Sequence, residues 1–335
     1  MKRSEINQIR QITGAYAPEA LKARQAWLEL RLRQDPEVRK LFTRLADEIA
    51  DTLRQGGSGT VDDWLMGAIE GQLRYLITEL RDGLTETLHG HIAEAVEIGS
   101  RYNRAVTIDL MTQKVSIPRI TKSGLERMYA RVNEAAVRAH IERTSYGLKL
   151  SDRIWDTSNG AGEVIRNIIQ DGIATGKDAI ETARALEGYV RSDANVMSKY
   201  YEGMQERMKG RVPDDLSYQA LRTARTETTA ALGQGSITSA RASPSCTGIK
   251  FCLSAAHRVQ DICDVLARED FGMGPGVYPL DDPPPYPAHP NTLSYLVEVH
   301  QPVDDFVRQL RSWVDDPASQ PKLNDWYATE YLGAA

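Results

Sequence analysis

Cysteine is scarce in this chain of 335 residues: there are three, Cys246, Cys252 and Cys263. An odd number at that spacing excludes a disulfide framework and a CxxC zinc ribbon. Long apolar runs are missing as well. No stretch approaches the roughly 18 uncharged apolar residues of a membrane span. Met1-Lys2-Arg3-Ser4-Glu5 leads into no apolar segment of the secretory kind. The expectation is a chain made and kept in the cytosol, or in a particle assembled there. A surplus of positive charge is also lacking. The formal net charge of -5 gives no global reason to expect nucleic-acid or membrane binding.

What is present is an ordinary globular composition, 41% hydrophobic and 26% charged, in a chain long enough for two or three domains. The charge is graded along it. Lys22, Arg24, Arg31, Arg33, Arg39, Lys40 and Arg44 cluster early. Asp261, Asp264, Glu269, Asp270, Asp281, Asp282, Asp304, Asp305, Asp315 and Asp316 crowd the last third. A solvated helix face is the simpler account of the basic cluster, and the gradient suits a protein assembly better than a DNA groove.

Most of the chain reads as helix. Pro18-Glu19 opens one that places Leu21, Trp27, Leu28 and Leu32 on a broad face. Asp35-Pro36-Glu37 is a second start signal, with Asp35 as cap, followed by Val38, Leu41, Phe42, Leu45, Ile49 and Leu53 at three- and four-residue steps. After Gly56-Gly57-Ser58-Gly59, a cap-like Thr60 starts a stripe through Leu65, Ile69, Leu73, Ile77, Leu80, Leu84, Leu88, Ile92 and Ala95. A stripe that long is either a spacer or hairpin arm that packs on a neighbour, or a plain bundle helix. From Arg104 to Ile120 the period changes to alternation (Val106, Ile108, Leu110, then Val115 and Ile117), which predicts a hairpin. Helices follow from Ser123, from Leu150 (a short one with Ile154 and Trp155), through Val164 to Ile169, and through Ile180 to Tyr189. Arg191 to Asp214 is polar and reads as a hinge or exposed connection. Leu216 to Leu232 is helical again, and the small, polar Gly233 to Ser245 reads as a linker. Val303 to Val314 forms a last amphipathic helix, ahead of a tail with Trp326, Tyr327 and Tyr331 that either docks a partner or packs back on its own domain.

The exception to helix is Ile249 to Val299. Ile249, Phe251 and Leu253 alternate at one end, and Leu293, Tyr295, Val297 and Val299 at the other, which predicts two pairing strands. Between them stand Ser254-x-x-His257-x-x-x-Asp261-Ile262-Cys263-Asp264, a loop with Gly272, Gly274, Gly276 and Tyr278, and Pro285-Tyr286-Pro287-Ala288-His289-Pro290. Three chemistries fit. His257, Asp261, Cys263 and His289 are residue types that bind a divalent metal, zinc above all. Cys263 with a histidine and an aspartate is a nucleophile arrangement. The third reading, favoured here, is a structural staple in which Asp261 and Asp264 cap a short helix from Asp264 to Arg268 and its preceding turn, and the glycines permit close turns. Upstream, Arg225 and Glu227 lie two apart on a helix and so need separate partners. A bidentate lock of an arginine on Asp261 or Asp264 is one option, and solvated charges are the other.

These motifs together resemble the C-terminal domain of the phage Mu F-like minor head proteins, the head-morphogenesis proteins of tailed phages and prophages. The resemblance runs through Ala224-Arg225-Thr226-Glu227, the Ser254 to Asp264 motif, Gly272-x-Gly274-Pro275-Gly276-Val277-Tyr278-Pro279 and Pro285-x-Pro287-x-His289-Pro290. Leu148-Lys149-Leu150-Ser151-x-Arg153-Ile154-Trp155 also fits, so the likeness covers about residues 145 to 300. One departure matters: the family pattern His-Pro-x-Cys-x-Cys here has Thr292 and Ser294 at the two cysteine positions.

The resemblance implies a minor capsid component rather than an enzyme. It would act with portal protein and with major capsid or scaffolding protein in procapsid assembly in the bacterial host cytoplasm. It would reside in the procapsid or virion, with packaged DNA as a further contact and no membrane span. No catalytic residue and no cofactor follow from it, zinc being the one the ligand types admit. The motif residues it picks out are Arg225, Glu227, His257, Asp261, Cys263, Asp264, Gly274, Gly276, Tyr278, Pro287, His289 and Pro290. The expected fold is mainly α, with multi-helix N-terminal and middle regions and a small C-terminal α+β module holding a short antiparallel strand pair. By sequence pattern the chain divides into a long-helix region (1-103), a mixed hairpin and helical region (104-213), the Mu F-like module (214-317) and an aromatic tail (318-335). The rival function is a metal-dependent enzyme, nuclease-like or an effector, centred on His257, Asp261, Cys263 and His289.

Overall fold

The computed structural model describes residues 1–57, 59, 61, 63–144, 147–191, 217–257, 260–289 and 292–333. The hinge reading of Arg191 to Asp214 falls outside these from residue 192 on, as do the cap position Thr60 and the motif residue Pro290. The fold is mainly α with a small C-terminal antiparallel sheet, as the sequence pattern predicts. Its helices are α1 (Arg3–Thr13), α2 (Ala17–Gln55), α3 (Asp63–Asp109), α4 (Lys122–Glu142), α5 (Leu150–Ala174), α6 (Ala179–Arg191) and α7 (Tyr218–Ala242). There follow β1 (Cys246–Cys252), the short α8 (Ile262–Leu266), β2 (Val277–Tyr278), β3 (Tyr295–His300), α9 (Val303–Asp315) and α10 (Pro321–Trp326). Among the described residues, no helix is long and apolar enough to cross a membrane.

Several predicted breaks are absent. Asp35-Pro36 does not start a helix; α2 runs through it. Pro36 and Leu32 are both exposed, so the Leu32 carbonyl that Pro36 deprives of a donor faces water, where the loss costs least. Leu32, expected on the apolar face, is 79% exposed, while Trp27 and Leu30 are buried. The predicted hairpin at 104–120 is instead the end of α3 and a wide turn, Leu110–Lys114. Tyr102, Asn103, Val106, Thr107, Leu110 and Met111 are buried at helical spacing, and that stripe overrides the local alternation of Val106, Ile108 and Leu110. The two helices expected between Leu150 and Ile169 are one, α5.

The chain forms two compact units, each discontinuous in sequence. One comprises Leu32–Gly90 and Glu142–Arg225 and is helical. Here the long stripe of α3 is a bundle face: Leu65, Ile69, Leu73, Leu76, Leu80, Leu84 and Leu88 are buried with Phe42, Ile49 and Leu53 of α2. Gly162 of α5 admits Ile77, whose methyl carbon lies 2.2 Å from where a Cβ would stand. Arg166 adds a hydrogen bond to Glu70 at 3.0 Å.

The other unit comprises Met1–Arg31, His91–Ile141 and Thr226–Ala335. The predicted strand pair is present, β1 antiparallel to β3, with Ile249 opposite Glu298 and Phe251 opposite Leu296. The two-residue β2 adds to the other edge of β1, giving the order β2-β1-β3. One apolar cluster joins Cys252, Tyr295 and Val297 to Ile9, Val106, Leu125, Met128, Phe306, Leu310 and Trp313. A second cluster holds Phe251, Cys263, Leu266 and Tyr278. The expected linker Gly233 to Ser245 is helix as far as Ala242. Its small residues serve close packing: a Cβ on Gly235 would lie 2.3 Å from the Val96 carbonyl oxygen, and one on Gly99 2.3 Å from that of Leu232. The aromatic tail packs back on this unit. Trp326 Nε1 donates to the Ala242 carbonyl at 2.8 Å, Tyr327 stacks on Tyr331, and the Thr121 amide donates to the Tyr331 hydroxyl at 3.0 Å. Of the two readings of the tail, packing back on its own unit is the one these contacts match.

Candidate functional site

The module between β1 and β3 is built from turn chemistry. The Ser254 carbonyl accepts from the His257 amide at 2.9 Å, and its hydroxyl accepts from the Ala256 amide at 3.1 Å. This serine turn leads the chain out of β1 and sets His257 above α8. Asp261 caps α8: its Oδ1 accepts from the Cys263 amide at 2.7 Å, while Asp264 Oδ2 accepts from the Asp261 amide at 2.9 Å. The two acids form a reciprocal capping box, and the helix they cap begins at Ile262, two residues earlier than the expected Asp264 to Arg268. His257 Nε2 lies 2.9 Å from the same Asp264 oxygen. A carboxylate only accepts, so this nitrogen carries the proton. The hydrogen bond from His257, then the one from the Asp261 amide, hold the Asp264 carboxyl below its ordinary range.

The loop after α8 needs two of its glycines. Gly274 and Gly276 have φ of 100° and 73°. A Cβ on Gly276 would stand 2.8 Å from the Ala267 carbonyl oxygen. The Gly276 amide donates to Glu269 at 2.7 Å, and its carbonyl accepts from Phe251 of β1 at 2.8 Å. The Tyr278 hydroxyl lies 3.0 Å from the Leu266 carbonyl and 2.7 Å from Glu269. Burial, then the Glu269 carboxylate, raises its pKa. The Tyr286 hydroxyl donates to the Ser294 carbonyl at 2.8 Å, and the bond to Pro287 is cis.

His289 returns beside α8, with Nε2 3.3 Å from Asp261 Oδ2. Ligand atoms of Asp261, Cys263 and His289 lie within 4.8 Å of one another, as do those of His257, Asp261 and Asp264. Asp261 belongs to both groups, and the first is a donor set that zinc accepts. Cys263 itself is buried, and burial raises its thiol pKa against hydrogen bonds from Ser294 and Thr292 that lower it. A protonated, buried thiol is a poor nucleophile.

Arg225 and Glu227 find partners other than the module's carboxylates. Arg225 grips Asp35 with Nε at 2.9 Å and with Nη2. Asp35 is therefore the anchor of an arginine and not a helix cap. Glu227 and His140, each about 1% exposed, are 3.3 Å apart.

Sequence reading missed a second polar group in the same unit. Tyr129, Thr107, Ser243, Ser245 and His300 form a chain of contacts at 2.8, 3.1, 3.4 and 2.9 Å. Beside it Glu298 is 3% exposed, and burial raises its pKa to about 7; burial lowers that of His300 to about 4. Arg24, Trp27, Ser236 and Glu298 line a cavity of about 50 Å³. The only signal for these was a glutamate inside an alternating strand, which reads as an ordinary outward residue. Comparison with protein-family models, curated proteins and solved structures gives no match to this chain.

Proposed function

We propose that this chain is a Mu F-like minor head protein of a tailed phage or prophage, an assembly component and not an enzyme. In this reading it works with portal protein and with major capsid or scaffolding protein during procapsid assembly, stays in the particle in few copies, and can leave with the genome. One observation carries the reading. Motif residues of the module spend polar atoms on each other and on the backbone, as a scaffold does: His257 on Asp264, Asp261 and Asp264 on α8, and Tyr278 on the Leu266 carbonyl. Cys263, buried and with its thiol pKa raised by that burial, is matched to packing and not to attack. Quantitative mass spectrometry of purified, nuclease-treated particles tests the proposal. A few copies per portal ring are expected, and absence from both procapsids and virions overturns it.

A second reading is a metal-dependent enzyme, and the cluster of Asp261, Cys263 and His289 within 4.8 Å favours it. It requires stoichiometric metal in the purified protein and loss of activity, with folding intact, in His289→Ala. A stably folded chain that binds no added zinc overturns it.

A further inference from the structure

Helix α8 buries Cys263 and Leu266 inward, three residues apart. On an amphipathic surface helix the remaining positions are polar. Here Ile262 is 46% exposed and Val265 is 56% exposed. Their spacing of three puts them side by side on the outer face. The loop that follows adds Phe271, 46% exposed, and Met273, 40% exposed. Phe271 leans on the Tyr278 ring at 5.0 Å, and the Tyr278 hydroxyl reaches the Leu266 carbonyl, so Phe271 stands by the C-terminal end of α8. Elsewhere in this compact unit, the exposed large apolar residues among those described are Met1, Val314 and Leu332, far apart in sequence. Concentration of exposed apolar side chains on one segment marks an interaction surface.

The surroundings set the partner's chemistry. A groove of about 560 Å³ runs along α8, lined by Gln260, Asp261, Asp264, Val265, Arg268 and Glu269. Three carboxylates, Asp261, Asp264 and Glu269, outnumber the single guanidinium of Arg268. Nucleic acid and anionic membranes are repelled by such a rim. A cationic segment is attracted, and rim charges of this kind steer association and set its salt dependence.

We propose that the outer face of α8 and the loop after it is a docking surface for a protein segment that is both apolar and basic. Its aliphatic side chains cover Ile262, Val265 and Phe271, and its lysines or arginines enter the groove. The surface stands independently of the head-protein assignment, because it rests on exposure and charge alone. The test is fluorescence anisotropy of the full chain with a labelled amphipathic peptide of leucine and lysine, against its leucine and glutamate counterpart. The lysine peptide is expected to bind at least about tenfold tighter and to weaken as salt is raised. Val265→Ser should weaken it about fivefold and Val265→Arg should abolish it, while Val314→Ser leaves it unchanged. Both Val265 substitutions lie at an exposed position, and a thermal melt verifies the fold. Equal binding of the two peptides, or a Val265→Arg chain that binds like the parent, overturns the proposal. So does concentration-dependent self-association that Val265→Arg removes, because the occupant would then be a second copy.

Discussion

The sulfur of Cys263 lies 3.6 Å from the hydroxyl oxygen of Thr292, and the Ser294 side chain also hydrogen bonds to that thiol. Thr292 and Ser294 are the positions at which the Mu F-like pattern carries cysteine. Both are buried, at 3% and 2% exposure, so neither hydroxyl has water as an alternative partner. Cys263, Thr292 and Ser294 thus bring one sulfur and two hydroxyl oxygens together. On the proposed Mu F-like reading, cysteines at the two hydroxyl positions should complete a metal site. Thr292→Cys/Ser294→Cys, with Cys263 and His289, is expected to bind one zinc per chain with an apparent free energy of about 10 kcal/mol. Metal analysis after dialysis, with a competing chelator, measures this. A double variant that folds and retains no zinc would show that the three positions do not converge.

Asp261 has two candidate duties, capping α8 and carrying charge beside two histidines. The structure assigns the first directly, since Oδ1 accepts from the Cys263 amide at 2.7 Å. Asp261→Ala should therefore cost about 1–2 kcal/mol in chemical denaturation, and Asp261→Asn only a few tenths, because asparagine caps as well as aspartate. Equal losses in the two variants would mean that the charge, facing His289 at 3.3 Å, matters more than the cap.

Gly235 and Gly99 let α3 and α7 touch backbone to backbone. Gly235→Ala would put a methyl group 2.3 Å from the Val96 carbonyl oxygen, and no side chain can rotate away to relieve it. The expected loss is about 2–3 kcal/mol of stability. Gly67→Ala on α3, where a Cβ meets nothing within 4 Å, is the matched control and should gain stability slightly. Loss of stability in both would point to backbone effects instead of the crossing.

The same glycines show where sequence reading ran out. Gly233 to Ser245 has the composition of a linker, and nothing local distinguishes a linker from a helix whose small residues meet another helix. The strand pair was legible because Ile249, Phe251, Tyr295 and Val297 alternate while bounded by turn residues. The capping role of Asp261 and Asp264 was legible from residue type, while the helix start at Ile262 and the reciprocal bonding of the two acids were not. The two residues of β2 carry no periodicity, and Val106, Ile108 and Leu110 carry a misleading one. Arg225 could be recognised as needing a partner, but its partner Asp35 is 190 residues away and already had a plausible local duty as a cap.

Glu298 and His300 set opposite pH dependences two residues apart on β3. Burial raises the Glu298 pKa from 4.5 to about 7 in the fold. The folded state then holds this proton more tightly than the unfolded chain. Its contribution is fully present below pH 4.5, falls as pH rises towards 7 and stays lost above it, a change of about 3 kcal/mol. His300 runs the other way: burial lowers its pKa from 6.5 to about 4, so the neutral ring is accommodated above pH 6.5 and stability falls as pH drops towards 4. Between roughly pH 4.5 and 6.5 the two slopes offset each other. Glu298→Gln removes one of them. Relative to the parent, this variant should gain up to about 3 kcal/mol on going from pH 4.5 to pH 8, measured as the difference in denaturation free energy at each pH. It should also uncover the His300 slope, with stability rising from pH 4 to 6.5. A parent-to-variant difference that is the same at pH 4.5 and pH 8 would mean that Glu298 is ionised in the fold, with a counter-charge close to the cavity that Arg24 also lines.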